Sequence, residues 1–210
     1  MSTTTIERAR PKSDERASAS LLIPADVRLV VDADGFAKLC AANRDMRLEL
    51  EPDGGLIVMT PAASDGGARN ADLTMQLAAW NKSTRFGKAF DSSAGFTLTD
   101  GAVRAPDASW IRREVWDAVD RRERLRFARV VPDFAAEIRS PSDAIADVRA
   151  KMAAYIANGV RLGWLIDPWT KSVEIYRPGR EPERLAAPVS VSGEGVLPGF
   201  TLVLAEIFED

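Results

Sequence analysis

The chain has 210 residues, of which 46% are hydrophobic, a size that suits one domain with a sizeable core. Its formal net charge of −3 does not by itself indicate a nucleic-acid-binding protein, and no apolar run of about 18 residues predicts a membrane span. With no histidine and one cysteine, Cys40, the sequence excludes an internal disulfide, Ser-His-Asp and Cys-His catalysis, and zinc held by histidine or by thiolate clusters.

The N-terminal region divides into a tail and the start of a domain. Residues 1–20 are rich in Ser, Thr, Arg and Glu and lack the apolar stretch of a secretory signal, which predicts a disordered tail on a cytoplasmic protein. Residues 21–210 are predicted to form one domain. Residues 32–43 have the apolar spacing of a short helix, while residues 47–51 and 56–59 alternate around a Pro-Asp-Gly-Gly turn, as in a hairpin.

The middle of the chain alternates helical and strand patterns. Residues 70–85 carry an apolar stripe at helical spacing and are followed by Gly87, which predicts a longer helix. Further elements are predicted as short strands near residues 89–90, 96–98 and 108–111 and as a short helix at 114–120.

Positive charge is concentrated in residues 112–129. This stretch holds seven arginines against four acids, a local excess of three positive charges in an acidic chain. Such a patch could contact phosphate groups. A solvated surface held by ion pairs is the more common role of a charged stretch, and it is the assignment the sequence favours.

The second half of the chain predicts a strand, a helix and another strand in succession. Residues 134–138 are almost continuously apolar, as in a strand buried on both faces. Ser140, Pro141 and Asp143 form the pattern of a helix start, with the serine as the cap. Further strands are predicted at 162–166 and 173–176, and a strand with a final helical turn at 196–208. This order favours a parallel pair within a mixed sheet.

Two Pro-Asp dipeptides, Pro106-Asp107 and Pro132-Asp133, open apolar stretches, and Glu137 and Lys151 follow the second. If the strands carrying Asp107 and Glu137 are neighbours, the two carboxylates can converge, and a divalent cation removes their repulsion. Since only oxygen ligands are at hand, Mg²⁺ or Mn²⁺ is expected. Lys151 borders the apolar face of its helix and could stabilise developing charge or orient a water. On spacing alone, a surface ion pair between Lys151 and Asp147 is the favoured alternative.

Other polar residues are weaker candidates for a site. Asp133 is expected to start a strand rather than to act in catalysis. Glu49 or Glu51 could add a metal ligand, but both are expected to be exposed acids of the hairpin. Arg69 could contact phosphate, and Asn70 is expected to cap its helix.

Motifs spread over most of the chain match, in order, those of one family. They are Met59-Thr60-Pro61, Gly67-x-Arg69-Asn70, Phe90-Asp91-Ser92-Ser93-x-Gly95-Phe96, Pro106-Asp107-Ala108-x-Trp110, Pro132-Asp133-Phe134 leading to Glu137, Ser140-Pro141-Ser142-Asp143, Lys151, Tyr155, Gly159-Val160-Arg161, and Trp164-Leu165-Ile166-Asp167-Pro168. No single motif is specific. The ordered set, which extends over residues 28–208, closely resembles the Uma2 family, a large bacterial group named as restriction endonucleases.

The resemblance implies a restriction-endonuclease-like α/β fold of the PD-(D/E)xK superfamily, with a central mixed sheet flanked by helices. It places the catalytic, metal-holding acids on Asp107 and Glu137 and the lysine on the following helix, at Lys151. Two departures are visible. Arg139 stands where the superfamily motif has a lysine, and arginine is a poor substitute for it; the histidine that many relatives carry after a Met-Ser-Pro stretch is absent. The resemblance also implies DNA as a partner and a homodimer as an option.

Three functions follow from these patterns. The first is a metal-dependent endonuclease that hydrolyses DNA phosphodiester bonds. The second is a nucleic-acid-binding or protein-interaction domain on a nuclease scaffold without catalysis, because a fold does not fix a function. The third is metal-free hydrolysis of another substrate by a carboxylate pair, as in glycosidases, which a chelator would not inhibit.

Overall fold

The structure, a computed structural model, describes residues 28–59 and 63–209, and the predicted tail over residues 1–20 lies outside this range. The helices are α1 (Ala33–Ala42), α2 (Ser64–Thr84), α3 (Arg113–Ala118) and α4 (Ile145–Ala157). The strands are β1 (Arg47–Leu50), β2 (Leu56–Met59), β3 (Gly87–Asp91), β4 (Phe96–Thr97), β5 (Val103–Arg104), β6 (Ala108–Arg112), β7 (Phe134–Ile138), β8 (Leu162–Asp167), β9 (Ser172–Tyr176), β10 (Glu183–Ala186), β11 (Ser190–Ser192) and β12 (Thr201–Val203).

A six-stranded sheet in the order β10-β9-β8-β7-β6-β3 forms the centre of the fold. Strands β7 and β8 are parallel and are joined through α4, whereas the other neighbours in this sheet are antiparallel. The predicted parallel pair within a mixed sheet is therefore confirmed, as is the α/β class with helices on both faces of a central sheet.

The two faces of the central sheet bury separate cores because side chains alternate along each strand. On β7, Ala136 belongs to the core that includes Leu73 of α2 and Trp164 of β8. Its neighbour Ala135 belongs to the core that includes Met152 of α4. Residue 137 has the same orientation as residue 135, so β7 directs the Glu137 side chain toward α4.

A second sheet in the order β2-β1-β5-β4 packs above the α4 side of the fold. Its strand β1 is half apolar, because Leu48 and Leu50 pack into a small core with Phe36 of α1. By the period of two along a strand, Arg47 and Glu49 point the other way. The predicted hairpin of β1 and β2 is confirmed, with Leu50 opposite Leu56 beside the turn.

Two helix starts differ from those predicted. Helix α4 begins at Ile145 rather than near Ser140, because the Asp143 carboxylate accepts the backbone N–H of Ser140 at 2.8 Å and closes a separate turn. Helix α2 begins at Ser64, six residues before the predicted start, and runs through two glycines. Burial of Leu73 and Leu77 against the sheet stabilises the helix and outweighs the low helix propensity of the two glycines.

In the part of the chain that the structure describes, no helix combines the length and the apolar character needed to cross a bilayer.

Candidate active site

A glutamate on strand β7 and a lysine on the helix that follows it, α4, meet beside the second sheet. The ammonium of Lys151, on α4, lies 2.9 Å from Oε1 of Glu137 on β7 and 3.0 Å from Oε1 of Glu49 on β1. The favoured surface pair between Lys151 and Asp147 is therefore wrong. Lys151 points inward, across the buried side of its helix, and bridges two carboxylates that are far apart in the sequence.

Glu49 is fixed by contacts from a neighbouring strand. Only 2% of the residue is exposed, and its carboxylate accepts the backbone N–H of Ala105 at 2.9 Å and a hydrogen bond from the Arg104 guanidinium at 3.2 Å. The second guanidinium nitrogen of Arg104 contacts Glu51 at 2.7 Å. The expectation of exposed hairpin acids is wrong for Glu49, which is a buried member of the cluster.

Asp107 lies immediately before β6, at the end of the sheet where β7 finishes. Its Oδ2 atom accepts the backbone N–H of Ile138 at 2.9 Å, and its Oδ1 atom accepts a hydrogen bond from Asn70 at 3.1 Å. The Arg47 guanidinium lies 4.0 Å from Oδ1. Asn70 is thus inside α2, where it contacts Asp107, and the prediction that it caps the helix is wrong.

Tyr155 completes the surroundings of Glu137. It is one turn beyond Lys151 on α4, it is buried, and its hydroxyl donates to Oε1 of Glu137 at 2.7 Å. Oε1 therefore receives both the tyrosine hydroxyl and the lysine ammonium, while Oε2 accepts no hydrogen bond from the described residues. This arrangement leaves one oxygen of the carboxylate available to a ligand.

The acids of the cluster differ in how their environment shifts their pKa values. Burial raises the pKa of Glu137 to about 7; Lys151 opposes the rise, and the charges of Asp107 and Glu49 add to it. Burial also raises the pKa of Asp107, despite the N–H of Ile138. Glu49 behaves differently: burial acts to raise its pKa, but Lys151, the Ala105 N–H and Arg104 outweigh burial and lower it.

Lys151 keeps its proton in this setting. Burial acts to lower its pKa, but the neighbouring carboxylates of Glu137 and Glu49 outweigh burial and raise the value. The group is therefore a fixed cation between two carboxylates. Two of its three N–H groups are directed at those carboxylates, which leaves one for another acceptor.

Metal-free protein is expected to lose stability as the pH rises from about 4.5 to about 7. The pKa of Glu137 is higher in the folded chain than in the unfolded chain, so over this interval the folded state binds more protons and unfolding becomes easier. The contribution of this group is up to about 3 kcal/mol. Urea denaturation in EDTA at pH 5 and pH 7.5 checks it. Glu137→Gln should flatten the pH dependence, and an unchanged slope would contradict the assignment.

Asp133 and Arg139, the remaining candidates of this region, form ion pairs that stabilise the fold. Asp133 forms ion pairs with Arg112 at 3.2 Å and Arg161 at 3.5 Å, and it accepts the backbone N–H of Arg112, which fixes the start of β7. Arg139 pairs with Asp167 at 3.0 Å and so does not occupy the position of a site lysine. The expectation that Asp133 serves the fold agrees with these contacts.

The residues present fit a hard divalent cation held by few protein ligands. Among the described residues, no group of three or more Asp, Glu, His or Cys side chains is placed to hold a metal by itself. Two carboxylates plus water and substrate oxygens are, however, the usual environment of Mg²⁺. Glu137 has an oxygen without a hydrogen bond, and Oδ1 of Asn70, beside Asp107, is buried with no partner in the described structure. Both are oxygen donors of the kind that Mg²⁺ prefers.

The sequence alone assigned no site role to Arg47, Arg104 or Tyr155 and favoured an exposed position for Glu49, although a signal for Arg47 and Glu49 exists. Arg47 and Glu49 alternate with Leu48 and Leu50, so the charged side chains share one face of β1. A strand with one apolar and one charged face, where the charged face is buried, is unusual unless the charges have partners. Arg104 and Tyr155 carry no comparable signal, because their roles depend on which elements pack together.

The fold and this cluster define a class of α/β domains. In this class, one end of a mixed central sheet carries an aspartate and a glutamate, and a lysine on the adjacent helix points toward them. The profile of the Uma2 family, described as "Putative restriction endonuclease", matches residues 33–205, and the chain belongs to this family. No curated protein matches the chain.

One solved structure supports the fold. A crystal structure described as a putative nuclease belonging to DUF820, from Anabaena variabilis, is 23% identical to this chain, with a TM-score of 0.66, over 77% of this chain and 89% of that one. This similarity shows a shared fold. A cryo-electron-microscopy structure of a DrdV–DNA complex is 17% identical over 69% of this chain and 12% of that one; its TM-score of 0.38 is too low to indicate a shared fold.

Proposed function

We propose that the protein is a metal-dependent endonuclease that hydrolyses phosphodiester bonds of DNA. The observation that carries the proposal is the position of Lys151, whose ammonium contacts Glu137 at the end of the sheet where Asp107 also lies. Membership in a family described as restriction endonucleases supports the reaction class. Asp107 and Glu137 are proposed as the catalytic acids that hold the cation, and Lys151 as the third catalytic residue.

Each side chain has a role that its contacts allow. In the reaction, the oxygen of a water forms a bond to phosphorus and the water gives up a proton to the solvent, while one bridging P–O bond breaks and the leaving oxygen takes a proton from the solvent. Negative charge grows on the phosphoryl oxygens. Lys151 stabilises this charge through its remaining N–H group. Tyr155 and Glu49 hold Glu137 and Lys151 in place, and the N–H of Ile138 orients Asp107.

The cation we propose is Mg²⁺ or Mn²⁺. Bound there, it supplies Lewis acidity, which polarises the phosphoryl group and makes a nearby water more acidic. The donor set selects a hard cation, because the chain has no histidine and its one thiol, Cys40, lies on α1, away from the cluster.

A scaffold that has lost catalysis is the second candidate, and one observation favours it. Lys151 is engaged by two carboxylates, and its side chain is only 20% exposed, so little of its surface is accessible to a substrate. We also place the protein in the cytoplasm and allow a homodimer that cuts both strands, as extensions of the same proposal. Metal-free glycosidase-like chemistry differs in its insensitivity to a chelator.

A plasmid-nicking assay tests the proposal. Supercoiled DNA is incubated with the wild-type protein in Mg²⁺, in Mn²⁺ and in EDTA, and we expect nicked and linear products only with a metal. Asp107→Asn should reduce the rate by at least about 10²-fold, because a carboxylate oxygen becomes an amide. The matched control is Asp147→Asn, an exposed acid on α4 that contacts no site residue and should leave the rate unchanged. Cleavage that persists in EDTA, or in Asp107→Asn, would contradict the proposal.

A further inference from the structure

Four arginines between α3 and β7 are exposed without acidic partners. They are Arg121, Arg122, Arg126 and Arg129. Within the described ranges, no carboxylate lies within ion-pair distance of any of their guanidinium groups, although Arg112 of the same stretch pairs with Glu114 and Asp133. The expectation of a surface held by ion pairs is therefore wrong for these four residues, and their positive charge is available to a partner.

Other arginines of the stretch hold its backbone in place. The Arg124 guanidinium donates to the carbonyls of Trp116, Asp117 and Val119 and lies over the Trp116 ring, 5.0 Å from its centroid. Arg113 donates in the same way to the carbonyls of Arg85 and Gly87. Because these contacts hold the backbone that carries the exposed arginines, less conformational entropy is lost when the arginines bind a partner.

The chain segment between Arg126 and Arg129 is connected by contacts to the candidate active site. Arg126 and Arg129 flank Phe127 and Ala128, whose carbonyls accept hydrogen bonds from Thr97 of β4. The Phe127 ring lies so close to Gly95 that a Cβ atom there would be 2.6 Å from the ring.

The loop that contains Gly95 leads directly to the site. Three residues earlier in this loop, the carbonyl of Ser92 accepts a hydrogen bond from Arg47 at 3.1 Å, and Arg47 lies 4.0 Å from Asp107. The buried Nε atom of Arg47 has no hydrogen-bond partner in the described structure. A chain of contacts thus runs from Asp107 through Arg47 and the loop of Ser92 and Gly95 to the Phe127 ring. Arg126 and Arg129 are exposed on either side of this end of the chain of contacts.

We propose that Arg121, Arg122, Arg126 and Arg129, called here the arginine rim, bind the phosphate backbone of a nucleic acid whose scissile phosphate lies at Asp107. This inference rests on the proposed function, since it assigns a docking surface to the same substrate. Arginine suits the task because its planar group forms paired hydrogen bonds with phosphate. Continuity with the phosphodiesterase site favours a nucleic acid over an anionic membrane, which would need no such continuity.

The experiment measures DNA binding in EDTA, so that no cleavage occurs. Fluorescence anisotropy of a labelled 20-base-pair duplex, a length chosen to span roughly two helical turns, is recorded as the salt concentration rises. Arg126→Gln/Arg129→Gln is compared with Lys82→Gln/Arg180→Gln, which removes the same charge from exposed residues elsewhere. Lys82 is near the end of α2 farthest from Asn70, about 18 Å along the helix. Arg180 follows β9, whose Tyr176 pairs with Gly163 at the start of β8, away from Glu137.

We expect Arg126→Gln/Arg129→Gln to weaken binding about tenfold near 0.1 M salt and to reduce the slope of log affinity against log salt by about two, one for each lost phosphate contact. Replacing all four arginines should reduce the slope further. Arg126→Lys/Arg129→Lys should restore part of the affinity, and a thermal melt of each variant excludes unfolding. Equal losses in the control pair, or none in the rim variants, would overturn the proposal.

Two further measurements, vesicle binding and DNA cleavage, separate this inference from membrane binding and from the proposed endonuclease function. If the rim variants lose binding to vesicles of phosphatidylcholine and phosphatidylserine but keep their affinity for the duplex, a membrane is the partner and the inference is wrong. If the rim variants lose DNA binding and the wild-type protein cuts no DNA with either metal, the rim stands and the proposed endonuclease fails. If the protein cuts DNA and the four-arginine variant binds normally, only the rim fails.

Discussion

Replacing Glu137 with glutamine is expected to reduce metal-dependent cleavage by about 10³-fold or more while leaving the fold as stable as before, or more stable. The loss of activity follows from the loss of one of two carboxylates that hold the cation, and a neutral amide is a far weaker ligand. The unusual part of this expectation is the stability, because most substitutions of buried residues are destabilising.

The environment of Glu137 explains why its charge costs stability in the metal-free protein. Burial raises its pKa to about 7, and the charges of Asp107 and Glu49 contribute to the rise. Glutamine has nearly the same shape, can accept the Tyr155 hydroxyl and removes the repulsion. Function and stability therefore conflict at this residue, as is common for the charged groups of active sites.

Glu174 offers a matched control for this substitution. It is also a buried glutamate of the central sheet, and it also accepts a tyrosine hydroxyl, from Tyr176 at 2.9 Å. Burial acts to raise its pKa, but hydrogen bonds from Arg149 and Tyr176 outweigh burial and lower it. Glu174→Gln should therefore lower stability and spare cleavage, the reverse of Glu137→Gln. Single-turnover cleavage and urea denaturation at pH 7.5 measure both quantities, and equal behaviour of the two variants would contradict the account.

Lys151→Met is expected to give the largest loss of stability among the site variants, about 3–5 kcal/mol, together with a loss of cleavage of about 10²–10³-fold. Methionine keeps much of the side-chain volume but leaves Glu49 and Glu137 facing each other without a cation. Glu49 is 2% exposed and Glu137 is 8% exposed, so neither carboxylate can be well solvated. Urea denaturation in EDTA measures the loss.

A double variant shows whether the loss comes from the uncompensated charge. Lys151→Met/Glu49→Gln removes one carboxylate with the lysine and should recover a substantial part of the stability, giving a coupling energy of at least about 1 kcal/mol. Arg149→Met is the control on the same helix, since its guanidinium pairs with Glu174 and its side chain is 47% exposed. Additive losses in the double variant would show that Lys151 matters only through packing, which contradicts the charge assignment.

Much of the central sheet could be predicted because its signals are local. The apolar run of β7 and the strand–helix–strand order around α4 predict a buried parallel pair, and the structure contains it. Sequence patterns also selected Glu137 and Lys151, which the structure brings into contact. Their catalytic roles remain predictions, since they depend on a reaction rather than on a contact.

The rest of the cluster could not be predicted because it depends on contacts between distant elements. The partner of Lys151 is an example. The predicted partner, Asp147, is one helical turn away, whereas the observed partner, Glu49, is 102 residues away on the second sheet. Spacing along one helix reveals only the first kind of partner. Similarly, the sequence pattern does not locate the start of α4, because Asp143 accepts the backbone N–H of Ser140 in a separate turn before the helix begins.

The most direct test of the site is a titration with Mn²⁺ monitored by electron paramagnetic resonance, without DNA. If Asp107 and Glu137 hold one divalent cation between them, the wild-type protein should bind one equivalent of Mn²⁺ that Mg²⁺ displaces, and Asp107→Asn and Glu137→Gln should each abolish that binding. Equal Mn²⁺ binding by the wild type and both variants, or none by the wild type, would contradict the metal site on which the proposed cleavage depends.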